Sequence, residues 1–260
     1  MSMPVIENEP VFGDVIYPES DGKPMADNLT QSRVIRTLVM GFERLYAHDS
    51  NVLVGGDFFW YPVKGEPKIV VAPDVMVVRG TPKVELRSYR QFEHGGQPAL
   101  AVEVLSHNNT WAEMARKHTF YQRHGVLEYW VFDPLDGALQ VFLREGDEFV
   151  SLDNPAGGFV SPTTGVQVHV EGVDLVVHDP EGGRQWLTPA EEMELGRAAT
   201  ESARAETARA NEETARANEE AARAEQLTRA ANDAARRAAE AEAEVAELRE
   251  QLARLRGDNG

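Results

Sequence analysis

Cysteine is absent from the 260 residues, which excludes disulfides, thiol nucleophiles and thiolate metal sites and suits a reducing compartment. There is also no basic N-terminal stretch leading into an apolar run, and no apolar run long enough to cross a bilayer. The expected setting is therefore the cytoplasm, with no membrane as partner. Basic residues are scarce: 26 Lys and Arg face 43 Asp and Glu, a formal net charge of −17. That excess argues against indiscriminate binding of nucleic acid, because phosphate neutralisation by cations supplies most of such affinity.

What is present divides near residue 188. From Pro189 to Arg256 the chain is nearly all Ala, Glu and Arg, and ARAETARANEETARANEEAAR, from Ala203 to Arg223, repeats every seven residues. Ala at 203, 210, 217, 224, 231 and 238, then Val245 and Leu252, keep one heptad position apolar. Three residues on stand Glu206, Glu213 and Glu220, followed by Leu227, Ala234, Ala241, Leu248 and Leu255. This pattern predicts a long helix whose C-terminal part pairs with another copy as a coiled coil, giving a homo-oligomer, with a stiff spacer before it. The alternative is a solitary solvated helix held by Ala propensity and local charge pairs. The expected organisation is a globular domain over 1–187, the helix over 188–256 and a disordered end at 257–260. Residues 188–260 hold 17 acids and 11 bases, −6 of the −17, so residues 1–187 carry −11 and are acidic in their own right.

Within the globular part, residues 10–28 read as an extended lead-in rich in Pro, Gly and Asp. Val34, Leu38, Phe42 and Leu45 recur at helical spacing and predict a helix over about 31–46, with Asn28 or Thr30 as cap. Strands are expected at 51–62, 68–78 and 99–105, with Gly55 and Gly56 marking a bulge or a close backbone approach. Thr110 and Glu113 form a capping box for a second helix over 111–124, stopped by Gly125. A strand at 127–133, a turn at 133–137, a strand at 138–144 and one or two more within 165–179 complete an α/β (α+β) arrangement around one mixed sheet.

Inside PALAVEVLSHNNT, residues 98–110, Glu103 lies among apolar neighbours. An isolated carboxylate there costs on the order of several kcal/mol unless it is paired, protonated or bound to a cation. Asp74 has a matching setting at the Pro73 kink of the preceding strand. Two carboxylates brought within a few ångströms favour a shared proton or a divalent cation. With oxygen ligands alone the natural ion is Mg²⁺ or Mn²⁺, which would acidify a water and stabilise charge on a phosphoryl oxygen. Lys117, on the helix after the Glu103 strand, completes a set suited to phosphodiester hydrolysis. Each also has a plainer role: Asp74 as a turn residue, Glu103 pointing outward from an edge strand, and Lys117 as a snorkelling surface lysine.

The blocks YPESDGKPMADN, GDFFWYP, APDVMVV, VEVLS and ARKHTFYQRHGVLEYWVFDP together resemble the Uma2 family of bacterial endonucleases, a branch of the PD-(D/E)XK nuclease superfamily, over about residues 10–145. The resemblance implies a restriction-endonuclease-like mixed sheet flanked by helices, with DNA as substrate. Pro73-Asp74 corresponds to the superfamily's PD, and Glu103 to its second acid. Where the pattern would place a lysine two residues after that acid, this chain has Leu105; in such families the lysine has migrated to the following helix, which nominates Lys117. Glu43 on the first helix and Asp57 are candidates for further metal or water contacts. Tyr121 and Gln122 are candidates for phosphate or water contacts, with packing the leading role for Tyr121. His107, in the loop after Glu103, is a candidate proton shuttle.

Two basic clusters soften the acidity. Arg79, Lys83, Arg87 and Arg90 gather in RGTPKVELRSYR, and Arg116, Lys117, His118, Arg123 and His124 on the second helix. A basic rim around an acidic pocket suits a metal-dependent nuclease, the rim for phosphates and the pocket for the ion. A second function class stays open: a non-catalytic interaction module that keeps the nuclease fold and assembles through its helical tail.

Overall fold

The computed structural model describes residues 11–12, 15–18, 29–83 and 86–257. Two short strands, β1 (Val11–Phe12) and β2 (Val15–Ile16), pair with one another and precede the first helix, α1 (Leu29–Leu45). Next come β3 (Val52–Gly55), β4 (Phe59–Tyr61), β5 (Val75–Arg79), β6 (Ser88–Arg90) and a single-turn helix α2 (Gln91–His94). The longer strand β7 (Gln97–Val104) leads to α3 (Trp111–Arg123), and the hairpin strands β8 (Glu128–Asp133), β9 (Ala138–Glu145) and β10 (Glu148–Ser151) follow. Strands β11 (Phe159–Val160), β12 (Gln167–Glu171) and β13 (Asp174–His178) precede the long helix α4 (Pro189–Gly257).

The central sheet has the order β10-β9-β8-β7-β5-β3, in which only β7 and β8 run parallel. Antiparallel neighbours can be joined by short turns, whereas a parallel pair needs a crossover; α3 is that crossover, and it lies over the sheet as a consequence. Side chains alternate across the sheet and build two cores. Val75, Val77, Val102, Val104, Trp130 and Phe132 pack on the face that meets Ile35, Leu38 and Phe42 of α1, together with Val168 and Val177 of β12 and β13. Met76, Val78, Ala101 and Tyr129 pack on the other face against Tyr121 of α3, Trp60 of β4 and Tyr89 of β6. The mixed sheet with helices on both faces is the α/β arrangement the sequence predicts.

Two of the predicted strands are shorter than expected. The run 51–62 breaks into β3 and β4, which belong to different sheets. The break has a physical cause at Gly56, where a Cβ would sit 2.2 Å from the Asp74 carbonyl oxygen. Asp57 follows in the left-handed region at φ 56° and donates its N–H to the Pro73 carbonyl at 2.9 Å. The run 68–78 is regular only from Val75, with Val71 forming an isolated bridge to Trp60. The segment 165–179 forms two strands that join β11 in a separate three-stranded sheet.

The helices follow their caps. Thr110 accepts the Glu113 N–H at 3.2 Å, and Gly125, at φ 84°, follows the end of α3. Thr30 lies inside α1 rather than capping it; Asn28, most of the 10–28 lead-in and residues 258–260 lie outside the described residues. Sequence patterning did not foresee how closely Gly41 of α1 meets the Trp186 ring, with space for no Cβ at all, while Trp186 stands edge-on to Phe42 at 4.8 Å.

The chain forms two compact units, Met1–Met193 and Glu194–Gly260. The second is continuous helix as far as Gly257, and its described side chains are exposed, including Leu227, Val245 and Leu248. Local pairs such as Arg216–Glu212, at 2.6 Å, lie along it. Among the described residues no helix is long and apolar enough to cross a membrane.

Candidate active site

Alternation along β7 and β5 decides where the two strand acids point. Val102 and Val104 face α1, so Glu103 between them faces α3, as Ala101 does. Val75 and Val77 face α1 and Met76 and Val78 face α3, which brings Asp74, one residue earlier, to the α3 side too. Val75 lies opposite Val102, so the next step along the pair sets Asp74 across from Glu103. The Asp74 Oδ2 accepts the Val104 N–H at 2.7 Å, which ties the loop before β5 to the end of β7.

Glu103 has a side chain only 2% exposed, and both of its oxygens are engaged from α3. Lys117 Nζ donates to Oε2 at 2.7 Å, and the Tyr121 hydroxyl donates to Oε1 at 2.5 Å. Residues 117 and 121 are one helical turn apart and so share a face. The Lys117 ammonium also reaches the Ala72 carbonyl at 3.5 Å, closing a ring of contacts between α3, β7 and the 72–74 loop. Tyr121 is held flat by Trp60, with rings 6.3 Å apart and 7° from parallel.

Charge and burial act together here. Burial, then the neighbouring Glu103, push the Asp74 carboxyl well above its ordinary range, against the pull of Lys117 and of the Val104 N–H. Burial draws the Lys117 ammonium down, but Glu103 and then Asp74 outweigh it and leave the group raised, so Lys117 is a cation at neutral pH. Burial, reinforced by Glu103, pushes the Tyr121 phenol well up, so it remains a donor. The ensemble is two carboxylates against one ammonium in a desolvated setting, an arrangement that binds a proton or a further cation.

The donor set fits a small hard ion in kind. Both side chains offer oxygen, and Asp74 Oδ1 accepts no hydrogen bond among the described residues. Among those residues no three His, Cys, Asp or Glu side chains gather as a metal cluster. Two carboxylates with water in the remaining positions is a set Mg²⁺ tolerates, since it dehydrates reluctantly.

The other sequence candidates lie at varying distance from this centre. Asp57 acts on Asp74 electrostatically and lines a separate cleft of about 480 Å³ with Glu43, Lys83 and Arg87. Glu43 is exposed on α1, and His107 is exposed in the loop after β7. Gln122 turns away: its Oε1 accepts the Phe149 N–H of β10 at 2.9 Å. Tyr121, read first as a packing residue, both packs and holds Glu103. The contribution of the Val104 N–H has no sequence signal, because every residue but proline carries one.

The Uma2 family model, described as "Putative restriction endonuclease", matches residues 20–172. Among solved structures, one similar to this chain is described as a putative nuclease belonging to DUF820 from Anabaena variabilis, at 14% identity and a TM-score of 0.41, covering 57% of this chain and 76% of that one. No curated protein matches.

Proposed function

The chain belongs to the Uma2 family, and from that premise we propose that it is a metal-dependent endonuclease that hydrolyses phosphodiester bonds in DNA at the Asp74–Glu103–Lys117 centre. The observation that carries the reading is the 2.7 Å contact between Lys117 and Glu103 beside a second desolvated acid. A buried acid beside a half-buried one, matched by a single cation, is a poor way to stabilise a fold and a good way to prepare a charged reaction.

Asp74 and Glu103 would hold a Mg²⁺ or Mn²⁺ ion, and bound there the ion would supply Lewis-acid polarisation of the phosphoryl group. The protein's own residues do the rest. Lys117, a cation fixed by Glu103, presents positive charge to the scissile phosphate or orients the attacking water. Tyr121 keeps the Glu103 carboxylate in one rotamer by donating to Oε1. Trp60, stacked on Tyr121, and the sheet exclude water from behind Glu103, which strengthens each charge interaction there.

Assembly is the second part of the proposal. Val245 and Leu248, 47% and 52% exposed, occupy the two seam positions of one heptad in α4, and exposed apolar seam residues at this spacing are what a second copy of the helix would cover. The soluble, cytoplasmic setting expected from composition is retained as part of this reading.

The test is plasmid cleavage by the full chain with Mg²⁺, Mn²⁺ or chelator, comparing wild type with Asp74→Ala and Glu103→Ala. Metal-dependent nicking lost in both variants is expected. A wild type that cuts no plasmid under any of these conditions, yet assembles, would replace the enzyme by an interaction module. Light scattering on the full chain against Val245→Glu/Leu248→Glu tests the seam: a multimer that becomes monomeric is expected, and an unchanged mass would remove the coiled coil.

A further inference from the structure

The two basic clusters of the sequence meet different fates in three dimensions. Arg79 is spent on the Thr163 carbonyl, Arg90 on Glu93 at 2.7 Å, and His118 packs among Tyr129, Phe142 and Phe149. The cations on the other side of α3 are not spent. Arg116 and Arg123 form one bank of an open groove of about 500 Å³, and Lys68, before β5, forms the other. None of the three makes an ion pair or hydrogen bond with a described residue. The floor between them is Ile69, Val70 and Phe120, and no acid among the described residues lines the groove. Glu66 and Glu113 are near in sequence but do not reach it.

This is unusual for a domain with a net −11 over residues 1–187. Three cations unpaired among the described residues, around a groove whose described lining holds no acid, form a local positive site that an anion would complete. Along the chain, the residues of the groove flank those of the candidate centre. Lys68 lies six residues before Asp74, so at full extension the two are at most about 21 Å apart, and Ala72 between them touches Lys117. On the opposite bank Arg116 adjoins Lys117, and Arg123 lies seven residues, or about 10 Å, further along the helix axis. That interval corresponds to about three nucleotide steps at roughly 3.4 Å per charge on a strand.

We propose that this groove seats the phosphodiester backbone of a DNA strand running away from the Asp74–Glu103 pocket, with Lys68, Arg116 and Arg123 each meeting a phosphate. The inference rests on the nuclease reading for its orientation, but it concerns residues that do no chemistry. Burial and the adjacent Arg123 hold the His124 imidazole below its usual pKa, so at neutral pH the groove acts through the three permanent cations.

The experiment is equilibrium binding of fluorescent single-stranded and duplex DNA oligonucleotides to the full chain in chelator, from about 50 to 200 mM salt, a range over which counterion release is steep. Wild type is compared with Lys68→Ala/Arg116→Ala/Arg123→Ala and with a control of equal charge change in the tail, Arg204→Ala/Arg209→Ala/Arg223→Ala. Losing three phosphate contacts should flatten the log–log salt slope by about 2 on single strands or about 3 on duplex. The affinity span across that range then shrinks about 20-fold or about 40-fold respectively. The tail control should behave as wild type, and the oligonucleotide showing the larger change identifies the form of DNA bound. An unchanged slope in the groove variant, an equal loss in the tail control, or no binding by wild type overturns the proposal. Plasmid cleavage measured in parallel separates the two ideas: an unchanged slope with metal-dependent cleavage sinks the groove alone, and a flattened slope without any cleavage sinks the nuclease alone.

Discussion

Asp74 accepts the backbone N–H of Val104, the residue next to Glu103, at 2.7 Å, so one carboxylate is positioned by the strand that carries the other. The contact holds Asp74 in place but does not neutralise it. Asp74→Asn keeps an oxygen acceptor for that N–H and removes the charge that burial and Glu103 oppose. Cleavage is expected to fall by about 10²–10³-fold, the scale of losing one charge-stabilising group at a reacting centre. The metal-free protein is expected to become more stable, with a Tm higher by about 2–4 °C for each kcal/mol of relieved repulsion. Calorimetry in chelator beside a cleavage assay checks both; a lowered Tm would remove the account of Asp74 as a strained acid.

Lys117 and Glu103 form a pair whose side chains are 18% and 2% exposed. Lys117→Met leaves Glu103 facing only the Tyr121 hydroxyl and is expected to cost about 3–5 kcal/mol, the penalty for stranding one partner of a buried pair. Adding Glu103→Gln to that variant should restore part of the stability without restoring cleavage. Denaturant unfolding of the two single variants and the double gives the coupling energy; strict additivity would mean that the contact does not matter.

Gly56 approaches the Asp74 carbonyl so closely that a Cβ would stand 2.2 Å from it. Backbone cannot yield as a flexible side chain can, so Gly56→Ala must shift the 72–74 loop. The expected result is a folded protein with cleavage reduced about 10²-fold, the cost of an ångström-scale misplacement of reacting groups. A far-ultraviolet spectrum like that of wild type with full activity would show that the close approach is incidental.

Asp179 accepts both Arg44 nitrogens at 3.0 Å and the Trp186 indole N–H at 2.8 Å, clamping the segment after β13 to α1. Partial burial raises its pKa, but the bonds to Arg44 and then Trp186 outweigh this and leave it lowered. A carboxyl depressed in the folded state releases its proton more readily there than in the unfolded chain. Its stabilisation is therefore complete above the unfolded value of about 3.9 and is lost as pH falls through the lower folded value. Asp179→Asn should be less stable than wild type at pH 7, with the gap closing in that acid window. A gap in Tm that stays constant down to the acid end would show that the charge is not what holds the clamp.

Much of the plan was legible along the chain because it depends on local periodicity. The cap at Thr110, the span of α3, the hairpin of β8 and β9 and the heptads of α4 are all set by neighbours within a few residues. The extent of 51–62 was not legible, because it is broken by contact with the backbone of residues 73 and 74, some twenty positions away. Nor was the division of the basic residues, since Arg79 and Arg90 find acceptors in three dimensions while Arg116 and Arg123 find none among the described residues. Gln122 looked like a neighbour of the site in sequence and is turned to β10 by the helical advance of one residue.

By itself the sequence determined the main helices and strands though not their extents, the charge of each part and the presence of two acids beside or within apolar strands, since these follow from composition and from periods of two and 3.6 residues. Only the tertiary structure decided that Asp74 and Glu103 share a face, that Lys117 and Tyr121 close on Glu103 from α3, and which cations stay free. Those relations depend on strand register and on the crossover that lays α3 over the sheet. Register and crossover are set by packing between segments far apart in the chain, and no local pattern encodes the outcome.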